Sequence, residues 1–338
     1  MSIKKIVVLS LLAIFILGVC SVGYVASRLY AAFDGEPVRI YIPAGTTEEA
    51  LCDTLTSGLG EDFGRDVYFA WKLQRSDIGR AHGSYLVTPG DKALTVSRSL
   101  RSGRQTPVKV TFNNVRTLDA LAERVADKME WGSDVFLAAC DSILPSKGFK
   151  RPQYIAAFLP DTYEFFWTSS PQQVVKRLSD IRDNFWNDER RAQASSLGLT
   201  PVGVATLASI VEEETAKSDE RPVVARLYLN RLNRGMLLQA DPTVKFALGD
   251  FGLKRIYNAH LNVDSPYNTY RYKGLPPGPI RLPERKTLEA VLSAPAHNYI
   301  YMCAKEDFSG YHNFASDLSS HNQNAARYHR ALTQRNIR

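Results

Sequence analysis

The chain has 338 residues, a formal net charge of +7, and 44% hydrophobic against 23% charged residues. This length suffices for two domains and an anchor, and the composition excludes a mainly disordered chain. The basic residues are scattered and not interleaved with aromatics, which argues against a nucleic-acid partner and leaves an anionic membrane surface, peptide carboxylates or a solvated basic face.

The N-terminal segment combines two lysines with a long apolar run. Lys4 and Lys5 precede 21 uncharged residues, 6–26, which are long enough to cross a bilayer as a helix. We predict a cytoplasmic tail over 1–5 and a transmembrane helix over 6–28. A cleavable signal ending near Ala26 is the alternative. Because the lysines precede the run, the rest of the chain is expected outside the inner membrane, in the periplasm.

The four cysteines do not form a disulfide framework. Cys20 lies in the apolar run, and Cys52, Cys140 and Cys303 are far apart without C-x-x-C spacing. They are expected to be small buried hydrophobic residues. A single disulfide among them remains open.

Residues 36–105 are predicted to form a small α+β domain. Val38–Ile42 alternates as a strand, and Thr46 with Glu49 has the spacing of a capping box for a helix through Leu55. The order of strand, turn and helix recurs weakly, with a strand over 108–112 and a helix over 117–125. Between the two copies we expect a helix over 66–74, a strand over 84–87 and a helix over 94–100.

Residues 106–338 are predicted to form one larger α+β domain. Its expected elements are a polar amphipathic helix over 171–193, a strand entry at 265–270, a helix over 286–296, strands over 299–303 and 310–314, and a closing helix from 321 onwards.

The stretch 200–243 carries the strongest chemical signal. Thr200 is a good N-cap and Pro201 suits the first position of a helix with an apolar stripe. Ser218 is expected to cap a second helix that Gly235 ends. Residues 238–243 are expected to form a polar turn.

Three successive glutamates end the first of these helices. At about 100° per residue they point in different directions: Glu214 falls on the apolar stripe, Glu212 on its flank, and Glu213 on the opposite side. Partial burial raises the pKa of a carboxyl group towards the range of a general acid. One or two of these glutamates are therefore candidate acids, and a solvated helix end is the alternative.

Other chemistries find little support in the sequence. The six histidines show no H-E-x-x-H motif and no paired Cys/His spacing. There is no G-x-S-x-G elbow and no glycine-rich phosphate loop. We therefore expect carboxylate chemistry with no metal and no cofactor.

Four ordered segments resemble the endolytic murein transglycosylases, the YceG-like family. They are ASIVEEET at 208–215, LNRL at 229–232, GMLLQADPTV at 235–244 and SPYNTYRYKGLPPGPI at 265–280. The resemblance implies an α+β protein with an N-terminal transmembrane helix, a LysM-like domain over 36–105 and a catalytic domain over 106–338. The family's PDTY element is matched at 160–163, but Ala156 and Ala157 stand where an acidic residue and a glycine are usual.

The resemblance also implies a reaction. Such an enzyme cleaves the β-1,4 bond between N-acetylmuramic acid and N-acetylglucosamine in nascent peptidoglycan and leaves a 1,6-anhydro end, which limits glycan strand elongation. The resemblance assigns the proton donor to Glu212, whereas the helical wheel alone prefers Glu214, which we expect to support Glu212. The other candidate substrate-binding or orienting residues are Asn230, Gln239, Asp241, Thr243, Tyr267 and Asn268.

The implied partners are peptidoglycan strands, the inner membrane and cell-wall synthases. Two other functions remain open from the sequence. One is a hydrolytic muramidase that uses Asp241 as its second carboxylate. The other is a non-enzymatic, membrane-tethered scaffold that binds peptidoglycan.

Overall fold

A computed structural model describes residues 3–253 and 255–335, which divide into two compact units. Among the described residues, the first unit comprises 3–110, 128–130 and 164–169, and the second comprises 111–127, 131–163, 170–253 and 255–335. Residues 1–2 of the predicted cytoplasmic tail and 336–338 of the predicted catalytic domain lie outside the described residues. The mixture of helices with small sheets confirms the predicted α+β class.

The first helix, α1, is the candidate membrane anchor. It runs over Ile3–Leu29; most of its apolar side chains are exposed and none is buried. Among the described residues, it is the single helix that is long and apolar enough by itself to span a bilayer. Arg28 near its end is ion-paired with Asp66.

The first unit packs three helices around one strand pair. β1 and β2 are antiparallel, with Val38 opposite Val87 and Ile42 opposite Gly83. Because side chains alternate along a strand, Ile40 and Ile42 reach a core that also holds Trp71. The elements after α1 are β1 (Val38–Ile42), α2 (Glu48–Leu59), α3 (Glu61–Leu73), β2 (Gly83–Val87) and α4 (Ala93–Ser102).

Helices dominate the second unit. Its hairpin joins β5 (Tyr301–Ala304) to β6 (His312–Ala315), while β3 (Val108–Phe112) and β4 (Asp161–Phe165), which the division into units cuts, form a separate strand pair. The helices are α5 (Leu118–Ala126), α6 (Ser133–Ile143), α7 (Pro171–Phe185), α8 (Asp188–Ser196), α9 (Pro201–Glu214), α10 (Arg221–Asn233), α11 (Asp241–Leu248), α12 (Arg285–Leu292) and α13 (Leu318–Gln334).

Helix α9 forms the centre of the second unit. Thr200 caps it as predicted, since its side chain accepts a hydrogen bond from the Gly203 N–H. The nine residues from Val204 to Glu212 are all buried, so the helix is covered on every side rather than along one stripe. Its last turn, which carries the three glutamates, is therefore held among neighbouring elements.

Local hydrogen bonds moved several predicted boundaries. Thr47, not Thr46, caps α2 by accepting from the Ala50 N–H. The single helix predicted over 171–193 is two helices, because Asn187 caps a new one by accepting from the Arg190 N–H. Ser218 caps nothing: α10 begins at Arg221.

Two further sequence expectations were wrong in the second unit. The predicted polar turn over 238–243 ends at Ala240, because Asp241 is already the first residue of α11. The segment 265–270 forms turns instead of a strand entry. Its backbone is organised locally, with the Asn268 side chain donating to the carbonyls of Leu261 and Val263 at 2.8 Å each. All four cysteines are free thiols.

Candidate active site

A cavity of about 230 Å³ opens beside the C-terminal end of α9. Helix α10, the loop before α11 and the β5–β6 hairpin form its other walls. The lining residues are Glu214, Leu227, Tyr228, Arg231, Leu238, Gln239, Asp241, Tyr270, Met302, Cys303, Ala304 and His312. Most of these side chains are polar, which suits a ligand rich in hydroxyl groups.

Glu214 is the carboxyl group whose environment most resembles that of a general acid. Protein atoms surround it, although part of the residue remains accessible from the cavity. The pKa of Glu214 is raised to about 7: burial raises it most, a hydrogen bond from the Tyr228 hydroxyl opposes part of the shift, and the negative charge of Asp241 adds to it. That bond is 2.8 Å long and fixes one carboxyl oxygen. Glu214 can therefore carry a proton near neutral pH and release it.

Asp241 lies in the same cavity with a different environment. The Tyr270 hydroxyl donates a 2.6 Å hydrogen bond to its Oδ1. Burial and this bond to Asp241 raise the pKa of Tyr270, so the phenol stays protonated and remains a donor. The cavity thus holds two carboxyl groups, each oriented by its own tyrosine.

Arg231 connects the cavity wall to the hairpin. It is buried, and its guanidinium donates to the carbonyl oxygens of Leu238 at 2.8 Å and Ile300 at 2.6 Å. It also contacts Gln239 Oε1 at 3.3 Å. Gln239 has a φ of +53°, a left-handed conformation that is uncommon for a residue with a Cβ. Arg231 therefore stabilises the turn that brings Gln239 and Asp241 to the cavity.

Glu212, the acid that the resemblance assigned, does not line this cavity. Glu212 and Glu214 lie two residues apart and so point to opposite sides of α9. The Glu212 side chain is only 2% exposed. Its Oε2 accepts from the Glu284 N–H at 2.9 Å and from the Thr287 hydroxyl at 2.6 Å, at the start of α12.

An arginine completes the surroundings of Glu212. The Arg281 guanidinium lies 3.1 Å from Glu212 Oε1 and 2.7 Å from Glu213 Oε1. Arg116 also contacts Glu213, at 3.2 Å. Through these contacts Glu212 links α9 to α12.

The structure brings three of the eight predicted site residues to one cavity, namely Glu214, Gln239 and Asp241. The other four besides Glu212 have internal contacts. Asn230 donates to the carbonyls of His297 and Tyr299, the Thr243 hydroxyl is buried against Thr269 at 2.8 Å, Tyr267 packs on Phe246, and Asn268 holds its own loop. None of these four residues lines the cavity.

Four polar cavity residues were missing from the predicted site. Tyr228 and Arg231 are three residues apart on α10 and share one face, so a wheel of α10 could have identified them. Tyr270 lies two residues after Asn268 and three after Tyr267, both of which were predicted. His312, on β6, carried no signal, because its sequence neighbours give no hint that the hairpin returns to α9.

A larger cavity of about 460 Å³ lies elsewhere in the second unit, beside β3, β4 and the start of α12. Its two acids, Asp161 and Glu284, are exposed and ion-paired with Arg285 and Arg221, respectively. Neither acid is sheltered as Glu214 is, so size alone does not make this cavity the reaction centre.

Comparison with known proteins gives a consistent family. The chain is similar to the endolytic murein transglycosylase of Bacillus subtilis, at 26% identity over 311 residues that cover 86% of this chain and 84% of that one. A stretch of 137 residues is 34% identical to the endolytic murein transglycosylase of Streptococcus pneumoniae, covering 39% of this chain and 25% of that protein.

The fold agrees with these matches. A crystal structure of a YceG-like protein from Listeria monocytogenes aligns with a TM-score of 0.56 and 26% identity, covering 85% of this chain and 98% of that one. The model of the YceG-like family matches residues 40–327, from β1 into α13. Because this match spans far more than half of the chain, the protein belongs to the YceG-like family.

Proposed function

We propose that this protein is an endolytic lytic transglycosylase that cleaves the β-1,4 bond between N-acetylmuramic acid and N-acetylglucosamine in peptidoglycan. The observation that carries the proposal is Glu214, a sheltered acid with its pKa raised to about 7 in a polar cavity. The relatives from B. subtilis and S. pneumoniae, both named endolytic murein transglycosylases, support the same reaction.

Glu214 has the proton that the first half of the reaction needs. Its carboxyl group donates this proton to the glycosidic oxygen as the bond from that oxygen to C1 of the muramic sugar breaks. The C6 hydroxyl oxygen of the same sugar then bonds to C1 and gives up its proton, which in the simplest scheme returns to Glu214. The product is a 1,6-anhydro end, and no water enters the bond-breaking step.

The other cavity groups orient the strand. Gln239 can donate and accept hydrogen bonds with the acetamido and hydroxyl groups of the sugars. Asp241, held by Tyr270, supplies a negative charge that favours the positive charge developing at C1. Arg231 keeps the supporting turn in place and acts through Gln239 and Asp241.

The product identifies the reaction class. We would digest purified uncrosslinked glycan strands with the full-length protein in detergent and determine the masses of the new ends. Anhydro ends are expected. Reducing ends would instead mean a muramidase, an alternative favoured by one observation, the presence of Asp241 as a second carboxyl group in the cavity. Strand binding with no change in strand length would indicate a scaffold.

The rate should depend on pH through Glu214. The general acid must be protonated, and its pKa is about 7, so kcat/KM should fall as the pH rises above 7, approaching a decrease of about tenfold per pH unit. The measurement is the rate of anhydro-end release from pH 5 to 9, with strand binding followed in parallel. A rate that rises steadily between pH 7 and 9 would rule out Glu214 as the proton donor.

The location that we propose for the reaction rests on α1. We propose that α1 crosses the inner membrane once with Lys4 and Lys5 in the cytoplasm, which places Glu214 in the periplasm beside newly made strands. The proposal has two further parts. The first unit is LysM-like and contacts glycan, and cell-wall synthases supply the strands. Labelling of cysteines introduced near position 45 by a membrane-impermeant reagent in whole cells tests the orientation.

A further inference from the structure

The cavity contains a histidine that the scheme above does not use. His312 begins β6, directly opposite Ala304 of β5, and both residues line the cavity together with Glu214. The hairpin therefore brings an imidazole to the wall of the same cavity as the acid. Its side chain is only 16% exposed.

A buried carboxyl group sets the orientation of this imidazole. Glu220, whose side chain is 5% exposed, lies with its Oε2 2.8 Å from His312 Nδ1, and its Oε1 accepts from the His312 backbone N–H at 2.8 Å. The Thr215 hydroxyl donates to the same Oε2 at 2.9 Å. Ring and backbone of His312 are thus both held by one residue.

This arrangement decides which ring nitrogen is basic. A carboxylate only accepts hydrogen bonds, so the proton of the neutral ring lies on Nδ1, between the ring and Glu220. The other nitrogen, Nε2, keeps its lone pair and has no hydrogen-bond partner among the described residues. A carboxylate that fixes the tautomer of a histidine is the device by which hydrolases prepare a general base.

We propose that His312 is the base that takes the proton of the attacking C6 hydroxyl, and that Glu220 is the residue that positions it. This inference rests on the proposed function and refines its second half. Glu214 gives its proton to the departing glycosidic oxygen, the C1–O bond to that oxygen breaks, the O6–C1 bond forms, and the O6 proton passes to His312 Nε2. Proton transfer through water from His312 to Glu214 then restores both groups.

Assigning the two proton transfers to two different residues has a chemical reason. A single carboxyl group that protonates the departing oxygen must then reach the C6 hydroxyl. With two groups on separate walls, each can be aligned to one oxygen before the reaction starts. If Glu214 alone transfers both protons, the removal of His312 should change kcat little. If His312 is the base, its removal should lower kcat.

The experiment compares full-length variants in detergent on uncrosslinked glycan strands. The His312→Ala variant should lose about 10²-fold or more in kcat with a much smaller change in KM, as expected for a lost general base. Added imidazole should restore part of the rate in this variant but none in Glu214→Gln. The exposed His329→Gln on α13 serves as the matched control and should keep the wild-type rate.

A second variant keeps the proposal testable if His312→Ala does not fold. In Glu220→Gln the amide can still accept from the backbone N–H, but its NH₂ group would donate to Nδ1 and move the ring proton to Nε2. We expect kcat to fall at least about tenfold with a near-constant melting temperature.

The possible outcomes separate this proposal from the function on which it rests. If wild-type protein releases no anhydro ends, the proposed function fails first. If wild type is active and either variant keeps the wild-type kcat, or imidazole restores nothing to a folded His312→Ala protein, then His312 is not the base.

Discussion

The Glu214→Gln variant is expected to lose between about 10² and 10⁴ of kcat, the range that a positioned general acid supplies. Glutamine keeps the shape of the side chain and accepts the hydrogen bond from the Tyr228 hydroxyl, but it cannot donate an acidic proton. The measurement is the rate of anhydro-end release from purified strands by full-length protein, together with strand binding, which should change little.

The stability of the same variant provides a control. In the folded protein Glu214 binds its proton up to a pKa of about 7, against 4.5 for the free group. The folded state therefore binds more protons between these values, and this group's contribution to stability falls as the pH rises from 4.5 to 7. Because glutamine carries no charge, Glu214→Gln should melt at the same or a higher temperature at pH 8. An active Glu214→Gln protein would disprove the assignment.

The Glu212→Ala variant is expected to lose about 3 kcal/mol of stability, the lower end of the cost of breaking a buried ion pair. The substitution removes the acceptor for the Glu284 N–H and the Thr287 hydroxyl, and it leaves Arg281 with Glu213 as its remaining carboxylate. In thermal unfolding, this loss corresponds to a decrease of about 6–12 °C in melting temperature for a unit of this size.

A matched variant separates structure from catalysis at this position. Glu212→Gln keeps acceptor geometry for α12 and loses only the charge, so it should unfold at an intermediate temperature and retain most of the wild-type kcat below that temperature. The opposite pattern, a stable but inactive Glu212→Gln protein beside an active Glu214→Gln protein, would return the role of acid to Glu212.

The two glutamates show what a motif conveys about chemistry. The segment ASIVEEET identifies the family, which the match over residues 40–327 confirms, but it places three acids in succession without saying which one faces the substrate. The helical wheel separates Glu212 from Glu214 by direction and favours Glu214, whereas the resemblance assigns the proton donor to Glu212. We propose Glu214, because Arg281 and α12 contact Glu212 and Glu214 lines the cavity.

Local elements followed from the sequence where the signal was itself local. Val38–Ile42 and Val108–Phe112 have the predicted strand bounds, because alternation of apolar and polar residues is a property of the strand alone. Thr200 caps α9 as predicted, because an N-cap hydrogen bond also forms between residues that are close in the sequence. The predicted helix starts were wrong where either of two neighbouring residues could be the cap, as at Thr46 and Thr47. They were also wrong where Asn187, within a long helical pattern, began a new helix.

By itself, the sequence determined the α+β class, the apolar N-terminal helix and the family, because each of these depends on periodicity or on ordered motifs within one stretch of chain. Only the tertiary structure decided which of the three acids at the end of α9 lines the cavity. The pKa of Glu214 depends on burial by α10 and the loop before α11, and the setting of His312 depends on a contact with Glu220, 92 residues earlier in the chain. Desolvation and charge pairing act between residues that are far apart in the sequence, so the sequence of α9 alone does not determine them.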